Sequence, residues 1–115
     1  LNKKFKLQAQ KNTQTIHMIQ KAIQNNNIVS YFQPIVNNDT MEIEKYESLV
    51  RLINDEGKPL SPYFFLDVAK ESGHYRKITQ IVLKNSFDML RKTDKEISIN
   101  LSALDIENVY LRNEI

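Results

Sequence analysis

Three residues stand out by chemical type and setting. Glu47 and Arg51 fall on one side of an otherwise apolar segment, Met41 to Ile53, and Asn100 falls on the polar side of a second alternating segment, Glu96 to Leu101. A carboxylate drawn into an apolar surface must be paired or bound to a metal, because an isolated ion is very costly to desolvate. An amide oxygen beside it suits a hard cation such as Mg²⁺, which takes oxygen ligands. The same residues also admit a plain structural account: a surface ion pair between Glu47 and Arg51, with Asn100 capping a helical segment that opens near Ser102. Spacing alone leaves both accounts standing.

Other chemistries drop out. His17 lies in a polar stretch and His74 in a turn, and neither has a second histidine or a carboxylate at ligand spacing, so both read as solvated or locally hydrogen-bonded. The two glycines, Gly57 and Gly73, make no phosphate-cradling loop, and there is no Gly-Xaa-Ser-Xaa-Gly nucleophile elbow. Without cysteine there is neither a disulfide nor a thiolate metal site, and a reducing compartment fits. Sixteen Lys and Arg against fourteen Asp and Glu leave a net charge of +2, which gives no basic patch and does not imply nucleic acid. No apolar run approaches the roughly 18 residues of a membrane span, and the basic start, Leu1 to Lys6, is not followed by a signal-peptide core. The chain opens on Leu1 where a translated protein carries Met, so it reads as an excerpt from something longer.

The elements that must position Glu47, Arg51 and Asn100 follow from periodicity. With 115 residues, 41% of them hydrophobic and 26% charged, the composition is globular and the length suits one ordinary domain. Lys3 to Gln24 places Ile16, Ile19 and Ile23 at helical spacing, with Met18 and Ala22 beside them. This is an amphipathic helix, read as a connecting or packing helix or alternatively as a dimerisation helix. Asn25, Asn26 and Asn27 end it, because Asn tolerates the left-handed conformation of a C-cap. Val29 to Val36 is a strand whose Pro34 suggests an edge or a bulge. The turn formers Asn37 to Thr40 join it to the strand Met41 to Ile53, and so short a connection makes the pair antiparallel. Within the second strand, alternation sets Glu47, Leu49 and Arg51 against Tyr46, Ser48, Val50 and Leu52.

Asp55 to Lys58 is a loop. Ser61 and Pro62 start a helix, with Ser61 as a side-chain N-cap, and Ser72 and Gly73 stop it; Phe64, Phe65, Val68 and Ala69 form its buried face. A further helix, Arg76 to Arg91, carries Ile78, Ile81, Val82, Phe87, Met89 and Leu90 near one stripe, interrupted by Asn85 and Ser86. Glu96 to Leu101 then alternates Ile97, Ile99 and Leu101 against Ser98, Asn100 and Ser102, and a short helical segment opens near Ser102 to Asp105. A strand, a helical crossover and a returning strand make a parallel pair, which places the later part in an α/β sheet or barrel.

Five blocks carry a resemblance. Tyr31-Phe32-Gln33-Pro34-Ile35-Val36, Tyr46-Glu47-Ser48-Leu49-Val50-Arg51-Leu52, Leu60-Ser61-Pro62 with Phe65 and Ala69, Glu71-Ser72-Gly73, and Ile97-Ser98-Ile99-Asn100-Leu101-Ser102 stand in this order. Together they resemble the bacterial EAL domain, the cyclic-di-GMP phosphodiesterase module, over about Ile28 to Leu111. The resemblance implies the N-terminal portion of a modified (β/α)8 TIM-type barrel with an antiparallel first strand, residues 28–115, preceded by the amphipathic helix as a linker or packing helix, residues 1–27. It implies Glu47 and Asn100 as ligands of a catalytic Mg²⁺ or Mn²⁺, Gln33 and Leu49 near a guanine, and Arg51 at a phosphate. The implied reaction is metal-assisted hydrolysis of cyclic-di-GMP to the linear dinucleotide.

Two positions depart from the family pattern: Ser48 stands for the Ala of the signature, and Lys70 for an acidic residue after Ala69. The family's other metal-binding carboxylates and its catalytic lysine are expected beyond residue 115. A barrel of this type needs about 250 residues, so the chain by itself is expected to bind metal poorly and not to turn over substrate. Three functions compete: the first part of an active phosphodiesterase, an inactive EAL domain serving as a cyclic-di-GMP receptor or protein-interaction module, and an unrelated α+β interaction domain. The resemblance further implies a bacterial cytoplasmic module or the cytoplasmic part of a membrane-anchored sensor, with an upstream sensor or GGDEF-type domain. No DNA, RNA or membrane contact is expected of the chain. An open sheet edge would favour a homo-oligomer or domain swap.

Overall fold

The computed structural model describes residues 3–99 and, for the backbone, 109–111. Its elements are α1 (Lys3–Gln24), β1 (Ile28–Val36), β2 (Ile43–Ile53), β3 (Pro59–Leu60), α2 (Pro62–Glu71), α3 (Tyr75–Leu90), β4 (Glu96–Ile99) and β5 (Val109–Leu111). The sheet runs β1-β2-β4-β5, with β3 paired to β2. β1 and β2 are antiparallel and β2 and β4 parallel, as the short turn and the helical crossover require.

Helix ends are set by backbone geometry. α1 closes where Asn26 takes φ 58° and the Asn27 N–H donates to Ala22 O at 2.7 Å. α2 closes in the same way, with Gly73 at φ 81° and His74 N–H donating to Ala69 O at 2.8 Å. Both are Schellman closures, one built on Asn and the other on Gly. At the start of α2, Ser61 is the extended N-cap and Pro62 takes the first helical position, but the Ser61 hydroxyl makes no capping bond. The expected side-chain cap is therefore corrected: the turn is held by the Ser61 carbonyl, which accepts from Phe64 N–H at 3.1 Å.

The strand ends obey similar rules. Pro34 lies on β1, at the end of the strand order, and the ladder shifts register between Ile35 and Val36. Edge and bulge are thus both present where proline removes a donor. The segment 55–58, read as a loop, is the turn of a small hairpin that brings Pro59 and Leu60 back onto Ile53 and Leu52. Gly57 takes φ 78° there, and Asn54 Oδ1 accepts from the Glu56 and Lys58 amides.

Helices pack on one side of the sheet. The core joins Ile19 and Ala22 of α1, Phe65, Leu66 and Ala69 of α2, and Ile78, Val82 and Leu90 of α3 to Ile28, Val50, Leu52, Ile97 and Ile99 of the strands. Two expectations about helix faces are corrected. In α2, Phe64 is 69% exposed and Leu66 is buried instead, because at about 100° per residue Phe65, Leu66 and Ala69 share an arc that Phe64 lies outside. In α3, Phe87 is exposed and Ser86 belongs to the stripe: Ile78, Val82, Ser86 and Leu90 recur every fourth residue and are all buried. The segment expected near Ser102 to Asp105 lies outside the described residues. β5, a strand that no alternation in the sequence signals, pairs antiparallel with β4.

Candidate functional site

The sheet has two unlike faces. Toward the helices β2 turns Ser48, Val50 and Leu52, all 2% exposed or less. Away from them it turns Glu47, Leu49 and Arg51, each half-buried. Residues directly opposite in an antiparallel pair share a face. The β1–β2 register sets Gln33 opposite Glu47, Tyr31 opposite Leu49 and Val29 opposite Arg51. On the other flank Ser98 of β4 stands opposite Glu47 in the parallel ladder. Gln33, Glu47, Leu49 and Arg51 therefore lie on one face, with Tyr31 among them. Asn100 lies outside the described residues.

The surface ion pair between Glu47 and Arg51 does not form. Four residues along a strand span about 13 Å, so alternation gives the two side chains a common face without contact. Arg51 turns instead to the backbone, Nη1 donating to Val50 O at 2.7 Å. Among the described residues no ion pair or hydrogen bond is found for the Glu47 carboxylate. That is an acceptor-only group on a half-buried strand, backed by the core one residue away.

The described residues contain no cluster of three or more His, Cys, Asp or Glu side chains able to hold a metal ion. The donors that are present suit a hard cation in kind, since Glu47 offers carboxylate oxygens and Gln33 and Ser98 are neutral oxygen-bearing neighbours in register. They are too few in charge to retain one firmly. His74 Nδ1 lies 2.8 Å from Ser72 Oγ, a local bond of the helix end, and His17 is exposed on α1, so neither is near the Glu47 face.

One feature behind the site escaped the sequence reading. Ser48, fully buried, has its hydroxyl 3.3 Å from that of Ser86, which also donates to Val82 O at 2.8 Å. A second polar contact, Asn85 Nδ2 to Ser30 Oγ at 3.2 Å, ties the same helix to β1. The signal was available in the fourfold spacing of Ile78, Val82, Ser86 and Leu90, which places serine inside the stripe.

Comparison with known proteins adds four findings. The model of the EAL domain family matches residues 16–114. The chain is 34% identical over 92 residues to the probable cyclic di-GMP phosphodiesterase PdeB of Escherichia coli (strain K12), a match covering 76% of this chain and 18% of PdeB. It resembles the crystal structure of the FimX EAL domain from Pseudomonas aeruginosa bound to c-di-GMP, with TM-score 0.65 and 34% identity over 76% of this chain and 36% of that one. It also resembles the EAL domain protein from Listeria monocytogenes EGD-e, with TM-score 0.58 and 28% identity over 66% and 30% of the two chains. The chain thus spans less than a fifth of the curated relative and about a third of each structure. The expected α/β fold, with an antiparallel first strand leading into parallel pairing, is met.

Proposed function

Because this chain belongs to the EAL domain family, we propose that its Glu47 face is part of a cyclic-di-GMP site and that the protein carrying it hydrolyses this dinucleotide to the linear form. The observation that supports the reading most is the register that collects Gln33, Glu47, Leu49 and Arg51 on one side of two paired strands. We assign residues 28–115 to the module and residues 1–27 to a linker or packing helix; the family match begins inside α1, where its side chains start to be buried.

Each side chain has a role that its chemistry suits. The planar Arg51 guanidinium, with one nitrogen held by Val50 O, keeps further N–H groups for a phosphate. The Gln33 carboxamide can donate to and accept from a guanine edge, and Leu49 offers an apolar contact to the base. Glu47 and Asn100 would hold a Mg²⁺ or Mn²⁺ ion, together with carboxylates supplied by the longer protein. Such an ion, when bound, lowers the pKa of a coordinated water and offsets phosphate charge. Glu47 contributes the negative charge that draws the cation to this end of the site, while Arg51 orients the phosphate two strand positions beyond Leu49.

A receptor that binds without hydrolysing is the second reading. Its support is that Gln33, Leu49 and Arg51 share one face and would contact the dinucleotide through hydrogen bonds and apolar surface that need no metal. The deciding experiment uses the longer protein that carries this chain. Incubation with cyclic-di-GMP and Mn²⁺ or Mg²⁺, followed by chromatography, should yield the linear dinucleotide, and Glu47→Gln should abolish turnover. Binding by calorimetry without turnover in the wild type would favour the receptor. Neither binding nor turnover would remove both readings.

A further inference from the structure

β1 carries two aromatic residues in succession, and the pleat sends them to opposite faces of the sheet. Phe32 packs against the core on the helix side, and Tyr31 stands with Gln33 on the Glu47 face. There Tyr31 is 47% exposed, whereas Leu49, directly opposite it on β2, is half-buried. Of the residues that β1, β2 and β4 set on this face, Tyr31 is the one aromatic. Among the described residues no hydrogen bond or ring contact is found for it.

A tyrosine at this position has a plain structural account, since aromatic residues suit strands and pair well with an aliphatic residue opposite. Isoleucine would serve that account equally, without leaving half of a large ring in water. What tyrosine adds is a flat π-face among the polar groups of the site. The register puts that face in the middle. Tyr31 and Leu49 form one rung of the ladder; Gln33 and Glu47 form the rung two positions to one side, and Arg51 lies two positions to the other, each step being about 7 Å. Along this line stand a carboxamide, an aromatic ring beside an aliphatic side chain, and a guanidinium. A purine nucleotide presents the matching sequence of a polar base edge, a flat base face and a phosphate.

We propose that Tyr31 is a further binding residue of this site, its ring stacking on the face of one guanine of cyclic-di-GMP while Leu49 touches the same base from the neighbouring strand. The inference rests on the reading of the Glu47 face as a cyclic-di-GMP site and adds to it the group that holds the base by its face. Stacking is indifferent to base identity, because every base has a π-face. Tyr31 therefore supplies affinity, and the Gln33 carboxamide, which can both donate and accept, reads the edge. The ring carries the effect and the hydroxyl does not, so phenylalanine can replace tyrosine and an aliphatic residue cannot.

The test uses the longer protein that carries this chain, with Glu47→Gln as the parent so that the ligand is not consumed. Calorimetry with cyclic-di-GMP should give Tyr31→Phe a dissociation constant within about twofold of the parent. Tyr31→Ile should bind about five- to a hundredfold more weakly, the range expected when one base stack is lost. Its urea midpoint should match the parent, because isoleucine is itself a good strand former opposite Leu49. In proton NMR the guanine C8 proton should move upfield on binding to the parent and to Tyr31→Phe, by the ring current of a stacked aromatic, and not on binding to Tyr31→Ile. Undiminished binding by Tyr31→Ile, an equal loss in Tyr31→Phe, a loss that tracks a lowered urea midpoint, or no upfield shift with the parent would each overturn the stacking role and leave the site reading in place. No binding of cyclic-di-GMP by either the Glu47→Gln or the unsubstituted protein would overturn the site reading and this inference with it.

Discussion

Glu47 and Ser48 are neighbours with opposite surroundings, and the difference between them shows what each can tolerate. Glu47 faces away from the helices, and no ion pair or hydrogen bond is found for its carboxylate among the described residues. Ser48 faces the core at 0% exposure, where its small volume fits beneath α3. Its hydroxyl contact to Ser86 is dispensable, because Ser86 keeps its 2.8 Å bond to Val82 O. Ser48→Ala should therefore change stability by less than about 1 kcal/mol, whereas Ser48→Leu should overpack the site and cost about 1–3 kcal/mol, both read from urea unfolding. The alanine of the family signature is compatible with this fold, and serine in its place leaves the Glu47 face untouched. In the longer protein, Arg51→Lys should weaken cyclic-di-GMP binding by calorimetry while leaving the fold intact, since a point charge cannot reproduce the planar fork.

Elements here are bounded by left-handed residues and turn amides. Gly73 takes φ 81°, and a Cβ at that position would meet nothing within 4 Å. The cost of Gly73→Ala is then torsional alone, about 1 kcal/mol, and should appear as a lowered denaturation midpoint without loss of helix signal. The same closure at α1 uses Asn26 at φ 58°, so Asn26→Gly should be neutral or slightly stabilising in the same assay. α3 holds the sheet by apolar packing and by the Ser86 and Asn85 contacts. These explain why its stripe includes two polar residues that hydropathy alone treats as interruptions.

On the scale of the whole molecule, the helices among the described residues cover one face of the sheet, and Tyr31, 47% exposed, lies on the other. No helix among the described residues is long and apolar enough to cross a membrane. The body and the overhanging part of α1 are separable in energy, since residues 3–11 bury nothing in the core. Deleting residues 1–11 should leave the thermal midpoint within about 2 °C of the parent.

The order of the longer elements α1, β1, β2, α2, α3 and β4, the antiparallel turn between β1 and β2, the parallel return at β4 and the common face of Glu47, Leu49 and Arg51 were legible in the sequence. Each follows from a local rule: a period of two, a period of 3.6, or a short turn. The five motif blocks likewise named the family from residue types alone. Only the tertiary structure decided that Gln33 stands opposite Glu47, because register between strands depends on the turn and the bulge near Val36. It also decided that Arg51 bonds to backbone and not to Glu47, that Ser86 and Leu66 are inside while Phe64 and Phe87 are outside, and that a two-residue strand follows Gly57. Those outcomes depend on which arc of each helix meets the sheet, a choice made by packing among segments distant in sequence.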